Sequence, residues 1–251
     1  MNDRITQENQ TDDNYYNTPE GILNANIIAG SSTKLNDALI REYGGYTTGL
    51  IMGYGDGRMV DYFKDKFSSL IVIEGSKQLF ESASEKYRNH SHVMCFHSYF
   101  ESFKLPERYK VNTILGNHVL EHVSNPVEVL RISRNWLSQT GHAIFSVPNA
   151  DSLHRRIGVN LKMLKTRYDL NDQDNLVGHQ RVYDQKSLLQ DIASGGYKVV
   201  EFGGFNLKLV SQRQMKDWSE ELIQAIFEIS QDCPTDICSN LFVVAEHKEE
   251  N

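Results

Sequence analysis

The stretch that decides the fold is TTGLIMGYGDG, residues 47–57. Its first six residues have the apolar character of a short buried strand, and Gly53, Gly55 and Gly57 follow directly. Glycines allow a tight backbone turn and let a ligand approach main-chain N–H groups. The stretch therefore predicts a strand followed by a ligand-binding loop, although an ordinary glycine-rich turn would have the same composition.

Strands and helices alternate downstream of this loop. Helices are predicted over Arg58–Lys66, Gln78–Arg88, from Pro126 to just before Gly141, and Gln185–Ala193. Further strands are predicted over Leu70–Ile73, Val93–Phe96, Val111–Leu115, His142–Val147, Tyr197–Phe202 and Leu241–Ala245. Such alternation predicts an α/β fold with parallel strands and right-handed crossovers. The last strand follows a long helix, so it can be inserted antiparallel.

The remaining segments suggest a domain with additions. Residues 1–45 predict an N-terminal helical or lid segment. Residues 1–14 are polar and are expected to be disordered, or ordered only with ligand, and residues 19–43 are expected to be helical. The main domain then covers 46–251, and a basic insertion at about 151–184 is expected to cap the sheet edge. A helical stripe near the end is expected to belong to the core: Trp218, Leu222, Ala225, Ile226 and Ile229.

Glu74 ends the strand that follows the glycine loop. Ligands of open α/β sheets bind at the carboxyl ends of the strands, and a carboxylate there can accept both hydroxyls of a ribose. A solvated strand-end glutamate is the alternative. The third glycine of the loop comes two positions after the second rather than three, which argues against a nicotinamide oxidoreductase on a similar sheet.

The composition of the chain argues against several kinds of binding partner. The formal net charge of −7 argues against binding to a nucleic acid polymer. The first residues lack an apolar segment, and no apolar run is long enough to span a membrane, so we expect a cytoplasmic protein. The chain has three cysteines without CxxC spacing: Cys95, Cys233 and Cys238. Their number and spacing argue against a disulfide framework or a zinc site, and no metal is expected.

Two later segments complete a recognisable pattern. ILGNHVLEHV, residues 114–123, ends the fourth strand, and FSVPN, residues 145–149, ends the fifth. With the glycine loop and the strand-end acid, these motifs resemble the class I S-adenosylmethionine-dependent methyltransferases, in particular the small-molecule group. The resemblance is close over residues 45–150 and looser over GHQRVY, residues 178–183. It implies a Rossmann-like, doubly wound seven-stranded sheet of order 3-2-1-4-5-7-6 with strand 7 antiparallel.

The resemblance also implies which residues bind S-adenosylmethionine. The glycine loop would contact the methionine moiety, Glu74 the ribose, the stretch after strand three the adenine, and the end of strand four the sulfonium. The implied set is Gly53, Tyr54, Gly55, Gly57, Glu74, Gly75, Ser98, Tyr99, Phe100, Glu101, Asn117 and His118. Ile51 and Asn112 stand where the family usually has acids. These departures leave open a catalytically silent protein that binds a cofactor or a partner.

The residues that would bind the methyl acceptor are less clearly indicated by the sequence. His179 and His118 are the candidate catalytic residues, with His179 the first choice as a base. Candidate acceptor-binding residues are Tyr16, Arg155, Arg156, Arg181 and Tyr183, of which Arg181 and Tyr183 would face the pocket with His179 if that segment is extended. The acceptor is expected to be a sugar, a nucleotide-linked metabolite or a natural-product intermediate, methylated on oxygen or nitrogen. A homodimer is possible.

Overall fold

The computed structural model describes residues 15, 18–24, 26–27, 30–106 and 109–248. The disordered segment expected over residues 1–14 and the acceptor contact expected at Tyr16 lie outside this part of the chain.

One mixed sheet contains all seven named strands. They are β1 Thr48–Met52, β2 Ser69–Glu74, β3 Val93–His97, β4 Val111–Asn117, β5 Leu137–Pro148, β6 Tyr197–Phe205 and β7 Asn240–His247. The strand order is β3-β2-β1-β4-β5-β7-β6. Strand β7 pairs antiparallel with β5 and β6, and the other neighbours pair in parallel. The predicted fold class and strand order are confirmed.

Helices cover both faces of this sheet. They are α1 Pro19–Asn24, α2 Gly30–Tyr43, α3 Arg58–Phe63, α4 Lys77–Tyr87, α5 Pro126–Trp136, α6 Leu153–Asn160, α7 Asp172–Leu176, α8 Gln185–Ser194 and α9 Glu220–Ser230. Successive residues of a strand point to opposite faces. Leu50 and Met52 of β1 therefore join a core with α5 and α8, whereas Ile51 joins a second core with α2, α3 and α4. Among the described residues, no helix is both long and apolar enough to cross a membrane.

Two predicted boundaries differ from the structure. The helix predicted over residues 19–43 is divided into α1 and α2. The helix predicted to reach the residues before Gly141 ends at Trp136, because Leu137 is extended and already pairs with Val111 of β4. Strand β5 is consequently longer than predicted, with a register shift before His142.

The apolar stripe near the end of the chain was assigned to the wrong face. Leu222 is 45% exposed and Ile229 is 59% exposed, whereas Phe227 and Ser230 are the buried residues of α9. The helix begins only after Ser219, whose side chain caps it by accepting a hydrogen bond from the Leu222 N–H. Trp218 therefore precedes the helix, and the prediction that 218, 222, 225, 226 and 229 form a core stripe is wrong.

Candidate active site

The glycine loop has the backbone that its sequence requires. Gly53, Gly55 and Gly57 all have positive φ angles, of 87°, 57° and 81°. Side chains other than glycine are strained in this region. At Gly57 an added Cβ would also lie 2.4 Å from the Tyr54 hydroxyl oxygen, whereas at Gly53 it would meet nothing within 4 Å. Gly53 is therefore open to a ligand, and Gly57 makes room for the Tyr54 ring.

Glu74 joins the loop to the start of α4. Its carboxylate accepts the Tyr54 N–H at 2.7 Å through one oxygen and the Ser76 N–H at 2.7 Å through the other. The residue is buried, with 8% of its surface exposed. A carboxylate has about four acceptor sites, so it can accept hydrogen bonds from more than these two N–H groups. The local backbone thus fixes the carboxylate at the carboxyl end of β2.

A single large cleft runs along the carboxyl ends of β1, β2 and β4. Its volume is about 1980 Å³. It continues from the glycine loop to residues of α6, α7 and the segment 206–215. The members of the expected cofactor set that line it are Gly53, Tyr54, Gly55, Glu74, Gly75, Ser98, Tyr99, Phe100, Glu101, Asn117 and His118.

The end of β4 is held in a defined geometry. Asn117 accepts a hydrogen bond of 2.8 Å from the Ser146 hydroxyl of β5. His118 has a positive φ of 53°, and its N–H donates to the Ser146 carbonyl at 2.8 Å. A left-handed histidine backbone is uncommon and persists where the surrounding structure enforces it. The turn after β4 is therefore built to present these two side chains to the cleft.

Three histidines and a glutamate meet beyond this turn; we call His118, Glu121, His122 and His179 the histidine cluster. His118 Nδ1 lies 2.9 Å from Glu121 Oε1, and Glu121 is fully buried. The rings of His122 and His179 meet edge to face with centroids 4.7 Å apart. Burial lowers the pKa of His122 to about 4, so its imidazole is neutral at pH 7. Burial opposes ionisation of Glu121, but the hydrogen bond from His118 and the charge interactions with His118, His122 and His179 together outweigh it and lower the carboxyl pKa.

Pairing of the cap with the β4 turn brings His179 to this cluster. The Gln180 N–H donates to the Glu121 carbonyl at 2.8 Å. His179 Nδ1 lies 2.9 Å from an oxygen of Asp174, which is also paired with Arg155 at 3.2 Å. Burial raises the pKa of Asp174, but hydrogen bonds from His179 and the Asn171 N–H lower it to about 2. Asp174 is thus a carboxylate that holds His179 in one orientation.

A family model described as a methyltransferase domain matches residues 47–202 of the chain. The chain is a class I S-adenosylmethionine-dependent methyltransferase. The predicted family, enzyme class and cofactor are confirmed. No curated protein sequence matches this methyltransferase significantly.

Solved methyltransferases share its fold at low sequence identity. N-methyltransferase NodS from Bradyrhizobium japonicum, in complex with S-adenosyl-L-homocysteine, is 14% identical over 89% of this chain and 88% of that one, with a TM-score of 0.58. An S-adenosylmethionine-dependent methyltransferase from Clostridium acetobutylicum is 12% identical over 93% and 99%, with a TM-score of 0.62. The CcbJ methyltransferase from Streptomyces caelestis is 15% identical over 87% and 95%, with a TM-score of 0.59. At these identities the likeness shows the fold alone.

The acceptor-binding candidates have other partners in this methyltransferase. Arg155 lines the cleft, but it is buried and donates to the Arg167 and Asp169 carbonyls as well as to Asp174. Arg156 pairs with Asp236 at 2.8 Å outside the cleft lining.

The expected grouping of His179, Arg181 and Tyr183 does not occur. Arg181 donates to the carbonyls of Leu120, Val123 and Ser124, and the buried Tyr183 hydroxyl donates to Asp191 at 2.9 Å. These carbonyls belong to the turn after β4, and the Arg181 guanidinium supplies their hydrogen-bond donor. Only His179 of the three lines the cleft.

Three residues of the site were not predicted from the sequence. Glu121 lies within the quoted LEHV motif, so the spacing of His118, Glu121 and His122 was an available signal. No such signal exists in the sequence for Asp174 or Lys208, because each reaches the cleft only through the tertiary fold. Lys208 lines the cleft, has no ion-pair partner in the part of the chain that the structure describes, and has a pKa lowered to about 8 by burial.

Proposed function

We propose that this methyltransferase moves the methyl group of S-adenosylmethionine to an oxygen or nitrogen of a small-molecule acceptor bound beneath the cap. The observation that carries the proposal is the continuous cleft from the glycine loop to the cap. Ligand pockets usually have volumes of about 300–1000 Å³. The cleft, at about 1980 Å³, exceeds that range and has room for a cofactor and an acceptor together.

In this proposal the cofactor lies across the carboxyl ends of β1, β2 and β4. Gly53, Tyr54 and Gly55 contact its methionine part, Glu74 accepts the ribose hydroxyls, and Tyr99 borders the adenine. Asn117 and His118 then lie at the sulfonium end. Ser98, Phe100, Glu101 and Gly75 complete the proposed contacts, and Gly57 acts through the packing of Tyr54.

Transfer needs alignment and, for a hydroxyl acceptor, the removal of a proton. The acceptor atom attacks the methyl carbon in line with the sulfur, and a neutral thioether leaves. Correct positioning can contribute several kcal/mol of barrier reduction, on the order of 7–11 at most. A base adds roughly 10²–10⁴-fold. His179 has its Nδ1–H directed to Asp174, because an ionised carboxylate can only accept, and its other nitrogen can take the proton.

Lys208 is the proposed contact for a negative group of the acceptor. Arg155 and Arg156 already have carboxylate partners, whereas Lys208 meets the cleft with an unpaired ammonium in the described structure. We expect Lys208→Met to raise the KM of an anionic acceptor at least tenfold, with the cofactor Kd unchanged. With the wild-type enzyme, the same KM should rise as the pH passes about 8, where the ammonium loses its proton. An acceptor KM indifferent to both changes would remove Lys208 from the site.

The experiment that tests the function is a screen of small acceptors with S-adenosylmethionine carrying a labelled methyl group. We expect label transfer to a sugar, a nucleotide-linked compound or a hydroxylated intermediate. In that assay His179→Ala should lower turnover about a hundredfold and leave the cofactor Kd within twofold. Tight cofactor binding without transfer to any acceptor would favour the catalytically silent alternative. That alternative is motivated by Ile51, a buried apolar residue that lines the cleft where the family usually has an acid.

A further inference from the structure

We propose that Glu121, His122 and His179 bind one divalent transition-metal ion at the acceptor end of the cleft. We further propose that this ion binds an acceptor hydroxyl. The ion site stands on the geometry of these residues alone, whereas its role in catalysis rests on the proposed function.

The three side chains are close enough to share an ion. Each offers one ligand atom, and these atoms all lie within 4.8 Å of one another. A tetrahedral ion with bonds of about 2.1 Å holds its ligand atoms about 3.4 Å apart, so side-chain movements of around an ångström complete the site. The backbone bond from Gln180 to Glu121 already joins the two chain segments that carry the ligands.

Glu121 is the side chain that most needs such a partner. It has no exposed surface, and one carboxylate oxygen accepts from His118. The other, Oε2, is buried without a hydrogen-bond partner in the described part of the chain. A buried carboxylate oxygen with no partner is costly, and such groups are usually paired or bound to a metal. A cation between Glu121 and the two histidines would supply the missing interaction.

The two histidines are prepared as metal ligands. A metal binds the neutral imidazole, and the ring of His122 lies edge to face against that of His179, with the ring centroids 4.7 Å apart. His179 directs its Nδ1–H to Asp174, which leaves Nε2 for the ion. A carboxylate behind a histidine is the usual outer partner of a metal-bound imidazole, because it fixes the tautomer and the ring orientation. Asp174 is held in turn by Arg155. The buried chain from Arg155 through Asp174 to His179 thus ends at the ion.

The chemistry of the three ligands limits which ions and which acceptors would fit the site. Two imidazoles and one carboxylate suit Mn²⁺, Fe²⁺, Co²⁺, Ni²⁺ or Zn²⁺, whereas Mg²⁺ and Ca²⁺ prefer oxygen ligands. Three protein ligands leave open positions, as catalytic metal sites do. An acceptor with two neighbouring oxygens, such as a vicinal diol or a hydroxy acid, could fill two of them. The cysteine spacing that argued against a zinc site does not bear on a site made of histidine and glutamate.

The ion would change how the acceptor loses its proton. A metal-bound hydroxyl ionises at much lower pH than a free one. The O–H bond breaks and its proton leaves to solvent. An oxygen electron pair then attacks the methyl carbon, the carbon–sulfur bond breaks, and its electrons stay on sulfur. The products are a methyl ether and S-adenosylhomocysteine. With the ion bound, His179 acts as a ligand in place of the general-base role proposed above. The nucleophile is then a metal-bound hydroxyl, which favours O-methylation.

Metal binding by the full chain tests the site without reference to activity. The protein is stripped with a chelator and titrated with Zn²⁺ by calorimetry and with Co²⁺ by visible absorption. We expect one equivalent to bind, with the Co²⁺ spectrum of a low-coordinate site. Glu121→Gln and His122→Ala should each weaken binding at least a hundredfold, and Asp174→Asn about 10–100-fold. The matched control is His154→Ala, because His154 lines the same cleft outside the cluster.

The two proposals fail in different ways. The ion site is overturned if stripped wild-type protein that still binds S-adenosylmethionine takes up less than a tenth of an equivalent. It is also overturned if the Glu121 and His122 variants bind as tightly as His154→Ala. Methyl transfer that survives the chelator would overturn the catalytic role and leave the proposed function standing. One bound equivalent with no transfer to any acceptor would support the site and contradict the function.

Discussion

Two buried glutamates have different environments: Glu74 lines the cleft, and Glu121 is fully buried beside His118, which lines it. Glu74 uses both carboxylate oxygens to hold backbone N–H groups of Tyr54 and Ser76, within its own strand–loop–helix neighbourhood. Glu121 has one oxygen held by His118 and the other without a partner in the described structure. The proposed cofactor end is therefore fixed by local backbone, whereas the proposed acceptor end also depends on side chains that the cap brings from elsewhere in the chain.

If the acceptor end depends on its buried support, removing Arg155 should have the largest effect. Arg155→Met removes the guanidinium that pairs with buried Asp174 and donates to the Arg167 and Asp169 carbonyls. Breaking a buried pair by removing one partner costs about 3–5 kcal/mol. We expect the free energy of unfolding, measured in denaturant, to fall by that amount. Arg156→Met is the matched control: its pair with Asp236 is partly exposed, so the expected change is below about 1 kcal/mol. Equal losses in the two variants would contradict the assignment.

Removing the Glu74 carboxylate should weaken binding of the cofactor rather than lower the stability of the fold. Glu74→Ala loses the proposed ribose contact and the bond that holds the Tyr54 N–H. We expect the Kd of S-adenosylmethionine to rise at least tenfold, or about 1.4 kcal/mol. Glu81→Ala, on the exposed side of α4, should leave it unchanged. Uptake of metal should be the same in both variants, and a wild-type cofactor Kd in Glu74→Ala would exclude the ribose role.

The smallest effect is expected from the hydrogen bond that orients Asn117. Ser146→Ala removes a donor at 2.8 Å, and one hydrogen bond contributes about 0.5–1.5 kcal/mol. The cofactor Kd should rise about two- to tenfold, with metal uptake unaffected. Ser133→Ala is the control, because Ser133 is also buried but bonds to Tyr197 away from the cleft. A larger loss of metal than of cofactor in Ser146→Ala would mean that the two ends are not independent.

Sequence reasoning was most successful where structure is determined locally. The apolar strands, the positive-φ glycines and the strand-end acid are each specified by neighbouring residues, and the sheet order followed from the family resemblance. It was wrong for α9, because an apolar stripe does not say which side meets the sheet. Arg181 could not be assigned either, since its partners are carbonyls of a turn about 60 residues earlier. Asp174 and Glu121 required the folded cap before their relation to His179 was visible.

We propose that the two glutamates serve two different ligands, a ribose and a metal ion. The most direct measurement is an anomalous diffraction map from a crystal grown with S-adenosylhomocysteine and Co²⁺. We expect the ribose hydroxyls on the Glu74 carboxylate and one cobalt peak between Glu121, His122 and His179. A map with the adenosyl group away from Glu74, or without a cobalt peak at the three ligands, would contradict it.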